Sequence, residues 1–209
     1  TDVLDFVIAP EFWEIWPSRK FLSSELEVML RGEVYYETKL DLARRWCKEW
    51  QFRIGVHYLR SQISAISAGS QYADLAEITL SIVWKEVLFE FAKKFGPEPG
   101  NGAAVISMGS LGSGVLHANS DLDLIIIYDA DGNDQSEGDR SLSARQYYSR
   151  LTKAFITAIS APMSEGRLYE IDMRLRPSGF QGPVATSWSS YQNYQKNEAW
   201  VWEHLALTR

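Results

Sequence analysis

Cysteine is almost missing from this sequence: Cys47 stands alone, which excludes an internal disulfide and any cysteine cluster for zinc. The three histidines, His57, His117 and His204, are too scattered to argue a metal site. No apolar run approaches the roughly 20 residues that a membrane-spanning helix needs. The first residues lack the basic start and apolar centre of a secretory signal, so the cytoplasm is the expected location. Basic residues are also in deficit. Lys and Arg number 21 against 27 Asp and Glu, for a net charge of −6, and no basic cluster stands out. That balance argues against a nucleic-acid partner, while a small anionic nucleotide remains possible.

What is present is an ordinary globular mixture, 45% hydrophobic and 23% charged over 209 residues, enough for one large domain or two small ones. The informative stretch runs from Gly102 to Asp129. An apolar strand is expected from Ala103 to Met108, then a loop carrying Gly109, Ser110, Gly112, Ser113 and Gly114, then a second strand entered through Ser120. Asp121 and Asp123 sit two apart at the mouth of that strand, so the pleat aims both carboxylates the same way. Two such charges repel unless a cation bridges them. All-oxygen ligands suit Mg²⁺, which takes one or two carboxylates and completes its shell with water and substrate phosphates. The glycines in front let backbone N–H groups turn toward an anion, and Ser110 can add a hydroxyl.

Other loop motifs fail. No Lys follows the glycines as a phosphate-binding P-loop requires, and no Gly-x-Gly-x-x-Gly fits. The run from Asp129 through Asp131 to Asn133 opens like a calcium loop, but Asp134 and Arg140 occupy the places where Gly and Glu belong.

The rest of the chain divides at Gly96-Pro97-Glu98-Pro99-Gly100, with helices expected before it and strands after. Short helical turns are expected around Phe6, Phe12, Trp13, Ile15 and Trp16, and a helix from Ser23 with Leu26, Met29 and Leu30 inward. A longer helix is expected from Glu33 to Leu59, with Leu40, Ala43, Trp46, Trp50, Ile54 and Tyr58 as its apolar stripe and Arg44, Arg45, Lys48 and Glu49 solvated. Residues 61–70 read as small and polar, and Tyr72–Phe95 as a buried helix that includes Phe89 and Phe91. Beyond a loop at residues 131–139, Ser143–Ser160 reads as an amphipathic helix burying Tyr147, Leu151, Phe155 and Ile159.

From Gly166 to Pro177 strict alternation predicts a strand, with Tyr169, Ile171, Met173 and Leu175 inward and Glu170, Asp172, Arg174 and Arg176 on the other face. If it lies beside the Asp121–Asp123 strand, Asp172 becomes a third carboxylate and the arginines face phosphates. Otherwise it is a surface strand with an ordinary i,i+2 ion pair. Ser187 is expected to cap a final helix carrying Trp188, Tyr191, Tyr194, Trp200 and Trp202, its aromatics mostly in a core. The helical pattern still runs at Arg209, which suggests a piece of something longer.

Gly-Ser, a ten-residue gap, Asp-x-Asp and a run of apolar strand residues resemble the nucleotidyltransferases of the polymerase β superfamily. More closely, Gly102–Asp129, Leu168–Ala185 and Glu198–Arg209, with Arg53–His57 and Tyr72–Ala76 in the helical part, are similar to glutamine synthetase adenylyltransferases. The resemblance implies an α+β fold: a helical N-terminal region (1–97), a polymerase β-like catalytic core with a mixed sheet flanked by helices (98–186), and the start of a further helical domain (187–209). It implies transfer of AMP from ATP to a tyrosine of glutamine synthetase. Asp121, Asp123 and Asp172 would be the catalytic metal ligands for Mg²⁺, with Asp172 as proton acceptor. Gly109, Ser110, Gly112, Ser120, Arg174 and Arg176 would contact the nucleotide. That family carries two such units. Arg176–Gly179 and the Ala-Trp-Val-Trp-Glu-His ending resemble the adenylylating one, and a PII-type regulator is an implied partner of the full-length enzyme. The alternatives are the deadenylylating unit, or a catalytically impaired module that binds nucleotide and relays a signal. Ser110 stands where the family pattern has Lys, and Val115 where it has Glu.

Overall fold

Hydroxyl side chains placed just ahead of apolar stripes set where the helices begin. In the computed structural model, which describes residues 10–13, 16–132 and 134–207, Ser18 accepts a hydrogen bond from the Phe21 N–H and starts α1 (Arg19–Arg31). That is earlier than the Ser23 start read from the sequence, because Ser18 already satisfies a first-turn amide. Leu22, Leu26 and Leu30 form the buried stripe. The turns expected around Phe6 and Ile15 lie outside the described residues, as do Asn133 and Arg209.

The second helix, α2 (Tyr36–Leu59), buries Leu40, Ala43, Trp46, Trp50 and Ile54 as expected. Tyr58 departs from the stripe and is 48% exposed; His57 turns inward instead, its Nε2 2.7 Å from the Phe12 carbonyl oxygen. Arg44 was expected in solvent and is wholly buried. The reason is that α2 is covered on more than one side: its Arg44 guanidinium donates to the carbonyl of Ala158, near the end of a later helix.

Ser64 accepts from the Ser67 N–H and opens α3 (Ala65–Phe95), a single 31-residue helix that absorbs most of the stretch read as small and polar. Gly69 is small because the loop at Val115 and Leu116 lies against it, with Leu116 N–H donating to the Gly69 carbonyl at 3.0 Å, and Ala68 beside it is buried. Phe89, expected in the core, faces solvent with Lys93 over its ring. The helix ends at Gly96, whose φ of 83° only glycine adopts cheaply.

The sheet follows. β1 (Gly102–Ser107) runs antiparallel to β2 (Leu122–Asp129), joined by the short helix α4 (Gly109–Gly112) and a turn. After α5 (Ala144–Ser160), two brief strands pair parallel with β2: β3 (Ile171–Asp172) at its start and β4 (Thr186–Ser187) near its end. β2 is therefore central. Its Leu122, Leu124, Ile126 and Tyr128 join the main apolar cluster, which runs without a break from Leu22 in α1 to Ala185 before β4. Tyr128 stacks on Tyr148 of α5, and α5 packs in turn on α3. Tyr147, Leu151, Phe155 and Ile159 are buried as the amphipathic pattern predicts. This is the α+β arrangement expected: helices flanking a mixed four-stranded sheet.

The long strand expected over residues 166–177 shrinks to β3. The side chain of Asp172 accepts the Arg174 backbone N–H at 2.8 Å, a local turn that competes with ladder pairing and ends the strand. Past that turn the alternation fails. Met173 stays buried, but so does Arg176, which donates to the Met173 and Gly182 carbonyls. Ser187 caps α6 (Trp188–Asn197) as expected, but the helix breaks there, and a separate α7 (Val201–Ala206) begins with Glu203 accepting the Trp200 N–H. Trp188, Trp200 and Trp202 are exposed rather than in a core. Among the described residues no helix is long and apolar enough to cross a membrane.

Candidate active site

Strand β2 is apolar on the face that meets the core, and the pleat sends Asp123 to the opposite face. Asp121 immediately precedes the strand and is exposed; Asp123 is half-buried. The Met108 N–H bonds to the Asp123 carbonyl oxygen at 2.8 Å and pins the end of β1 to this point. Directly after it, Gly109 takes a φ of 56° and lies so near the Asp123 carboxylate that a Cβ there would sit 2.3 Å from Oδ2. Both the backbone angle and the space demand glycine. Gly109→Ala is expected to push the Asp123 carboxylate aside and to cost about 1–3 kcal/mol of stability. Thermal melting of the purified variant beside the unaltered protein checks it.

Asp172 arrives from β3. It pairs with Asp123 in the parallel register, and the Leu122 N–H donates to the Glu170 carbonyl at 2.9 Å to hold the two strands together. Three carboxylates separated in sequence thus share one corner of the sheet. Their electrostatics differ. Burial raises the Asp123 pKa, and the negative charges of Asp172 and Asp121 raise it further against the pull of Arg174. The Asp172 pKa is lowered, first by its side-chain hydrogen bond from Arg174. The Arg174 Nε donates to Asp172 Oδ2 at 2.6 Å, and its Nη2 pairs with the same oxygen.

As they stand, no three His, Cys, Asp or Glu side chains among the described residues are gathered tightly enough to cage a metal. The donor set still fits a hard divalent cation: all oxygen, on adjoining strands, with one guanidinium facing three acids.

The remaining residues expected at the site divide into two groups. Ser110 is exposed on the first turn of α4, where the amides of Gly109, Ser110 and Leu111 have no earlier helical carbonyl to bond. Gly112 instead donates its N–H to the Met108 carbonyl, closing the turn. Ser120 shapes the approach to Asp121, its Oγ accepting the His117 N–H at 3.0 Å. Arg174 reaches the acids, as described. Arg176 is drawn inward to carbonyl oxygens, with its guanidinium over the Phe180 ring. Sequence reading did not single out Gly69, on whose carbonyl the end of the glycine loop rests. A glycine inside a helical stretch was the available signal.

A mixed sheet carrying paired acids beside a glycine turn defines a nucleotidyltransferase-like α+β unit. The family profile described as glutamate-ammonia ligase adenylyltransferase matches residues 3–209, and the chain belongs to that family. It is 43% identical over 99% of its length to the bifunctional glutamine synthetase adenylyltransferase/adenylyl-removing enzyme of Mesorhizobium japonicum. The proteins of that name from Bradyrhizobium diazoefficiens and Brucella suis are 44% and 42% identical over the same share. The chain spans about a fifth (21%) of the length of these curated relatives.

Proposed function

We propose that this chain transfers AMP from ATP to a tyrosine hydroxyl of glutamine synthetase and releases pyrophosphate, as the adenylylating unit of its family. The observation that carries the reading is the parallel pairing of Asp123 with Asp172, with the Gly109 backbone pressed against the Asp123 carboxylate. In this reading Asp121, Asp123 and Asp172 hold Mg²⁺. When bound, the cation supplies charge neutralisation to the polyphosphate and lowers the pKa of a neighbouring hydroxyl.

The protein's own groups do the rest. First-turn amides of α4 and the Ser110 hydroxyl receive phosphate oxygens. Asp172, whose pKa the Arg174 side chain lowers before any cation arrives, starts as the carboxylate and accepts the proton of the tyrosine phenol, which otherwise titrates near pH ~10. The phenolic oxygen forms its bond to the α-phosphorus as the bond from that phosphorus to the leaving pyrophosphate breaks. Where the family pattern has Lys, Ser110 offers a hydroxyl in place of a charge, so phosphate binding leans on backbone amides.

The names of the relatives also include an adenylyl-removing activity. The same acids could serve inorganic phosphate attacking the α-phosphorus of AMP-tyrosine, giving ADP and the unmodified tyrosine side chain of the synthetase. One experiment separates the readings. Incubation with glutamine synthetase and ATP labelled in its α-phosphate is expected to label the synthetase, with pyrophosphate released in equal amount. Adenylylated synthetase plus inorganic phosphate is expected to yield no ADP. ADP in the second arm with no label in the first would assign the removing direction, and silence in both would sink the catalytic reading.

A further inference from the structure

The carboxylate of Asp172 has about four lone-pair positions, and three are taken. Oδ1 accepts the Arg174 backbone N–H at 2.8 Å, while Oδ2 receives Nε at 2.6 Å and also pairs with Nη2. The acceptor is well enclosed, with the Asp172 side chain 13% exposed, but the donor is not: the Arg174 side chain is 65% exposed. An exposed arginine with several rotatable bonds can leave; a carboxylate fixed in β3 opposite Asp123 cannot. Arg174 also feels the charges of Asp123 and Asp121, so its guanidinium balances the corner as a whole.

From this geometry we infer that Arg174 and a divalent cation compete for Asp172, so that cation binding releases the guanidinium to take a phosphate oxygen of the incoming nucleotide. The inference rests on the three acids being cation ligands, as proposed above. Arg174 is then a positioning residue with two successive partners. Held on Asp172, it keeps like charges together at the β2–β3 junction. Displaced, it carries a bidentate fork suited to phosphate, on a short tether from the acids. Arg176 is poorly placed to substitute, because it is buried and its Nε and Nη1 are engaged with the Gly182 and Met173 carbonyls.

Competition predicts opposite changes in two affinities when the guanidinium is removed. In Arg174→Gln, binding of Mn²⁺ alone, followed by the electron-spin resonance signal of the free ion, is expected to tighten roughly three- to tenfold, the scale of a partly exposed charge-assisted pair. ATP binding at saturating Mn²⁺ is expected to weaken by a similar factor. Arg174→Lys keeps the charge without the fork, and should fall between native protein and Arg174→Gln in both measurements. Melting temperatures of the variants confirm that each is folded. Unchanged or weaker Mn²⁺ binding in folded Arg174→Gln overturns the competition, and so does unchanged ATP binding. Asp123→Asn tells this failure from that of the underlying reading: if Asp123→Asn binds Mn²⁺ as the native protein does, the acids themselves are misassigned.

Discussion

Asp123→Asn is expected to lose AMP transfer by roughly 10²- to 10³-fold, the scale on which removing one electrostatic contact to developing charge acts. It is expected to fold at least as well as the native protein. The two expectations come from the same surroundings. Asp123 lies half-buried against Gly109, with Asp172 across the register and Asp121 beside it. Burial and like charge raise its pKa in the folded state above its value in the unfolded chain. Such a group favours folding below its unfolded pKa and forfeits that contribution as pH rises through the folded value. At neutral pH the ionised carboxylate therefore strains the fold, and the amide of Asn removes the charge at nearly constant shape.

Asp172 has the opposite sign. Its folded pKa is lowered by Arg174, so its contribution is present above the unfolded carboxylate range and disappears as pH falls through the folded value. Melting curves of native protein and Asp123→Asn between acid and neutral pH, run beside the transfer assay, test both signs. The variant's advantage should grow with pH. A folded Asp123→Asn that transfers AMP at the native rate would remove Asp123 from the chemistry; a variant that is inactive and far less stable would show the carboxylate to be structural.

This corner of the sheet was largely legible in the sequence because its signals are local. Gly109, Asp121 and Asp123 lie in one short stretch, where turn chemistry and the strand period dictate where each side chain points. Asp172 was legible only as a possibility: alternation placed it on a polar face, but nothing local told whether β3 lay beside β2. The same residue hid the strand's end, since its own side chain makes the turn that stops pairing at Arg174. Arg176 misled for that reason, its alternate position losing meaning once the backbone had turned. The helices were misread mainly at their edges. Ser18 and Ser64 fixed the starts of α1 and α3, and Gly69 reflects a loop that packs on it from far along the chain. Tertiary contact, invisible to periodicity, decided these positions.

Arg44 is the clearest such case, and it carries the second large expectation. It stands on α2 among charged residues that read as a solvated face, yet its side chain is fully buried. Its Nη2 donates to the Ala158 carbonyl at 2.7 Å and reaches that of Ala161 at 3.4 Å, covering carbonyls at the end of α5 that have no helical partner. A cation there is favoured by the helix dipole. Its nearest acid, Asp41, is 3.8 Å away, and Nε and Nη1 have no hydrogen-bond partner among the described residues. Burial lowers the Arg44 pKa, and Asp41 only partly opposes it.

A buried charge so incompletely satisfied makes two substitutions behave differently. Arg44→Ala leaves a cavity, strips the α5 end of its donor and deprives the half-buried Asp41 of its nearest cation, and is expected to cost about 3–5 kcal/mol. Arg44→Met refills most of the volume without the charge, recovering the packing and avoiding desolvation, and is expected to lie within about 1–2 kcal/mol of the native protein. Urea denaturation of the three proteins measures both values. If Arg44→Met falls as far as Arg44→Ala, the bond to α5 outweighs the cost of burying the guanidinium, and Arg44 is a true strut between the helical region and the helix behind the acids. If Arg44→Met stands level with the native protein, α2 and α5 are held by shape alone, and the charge serves register rather than strength.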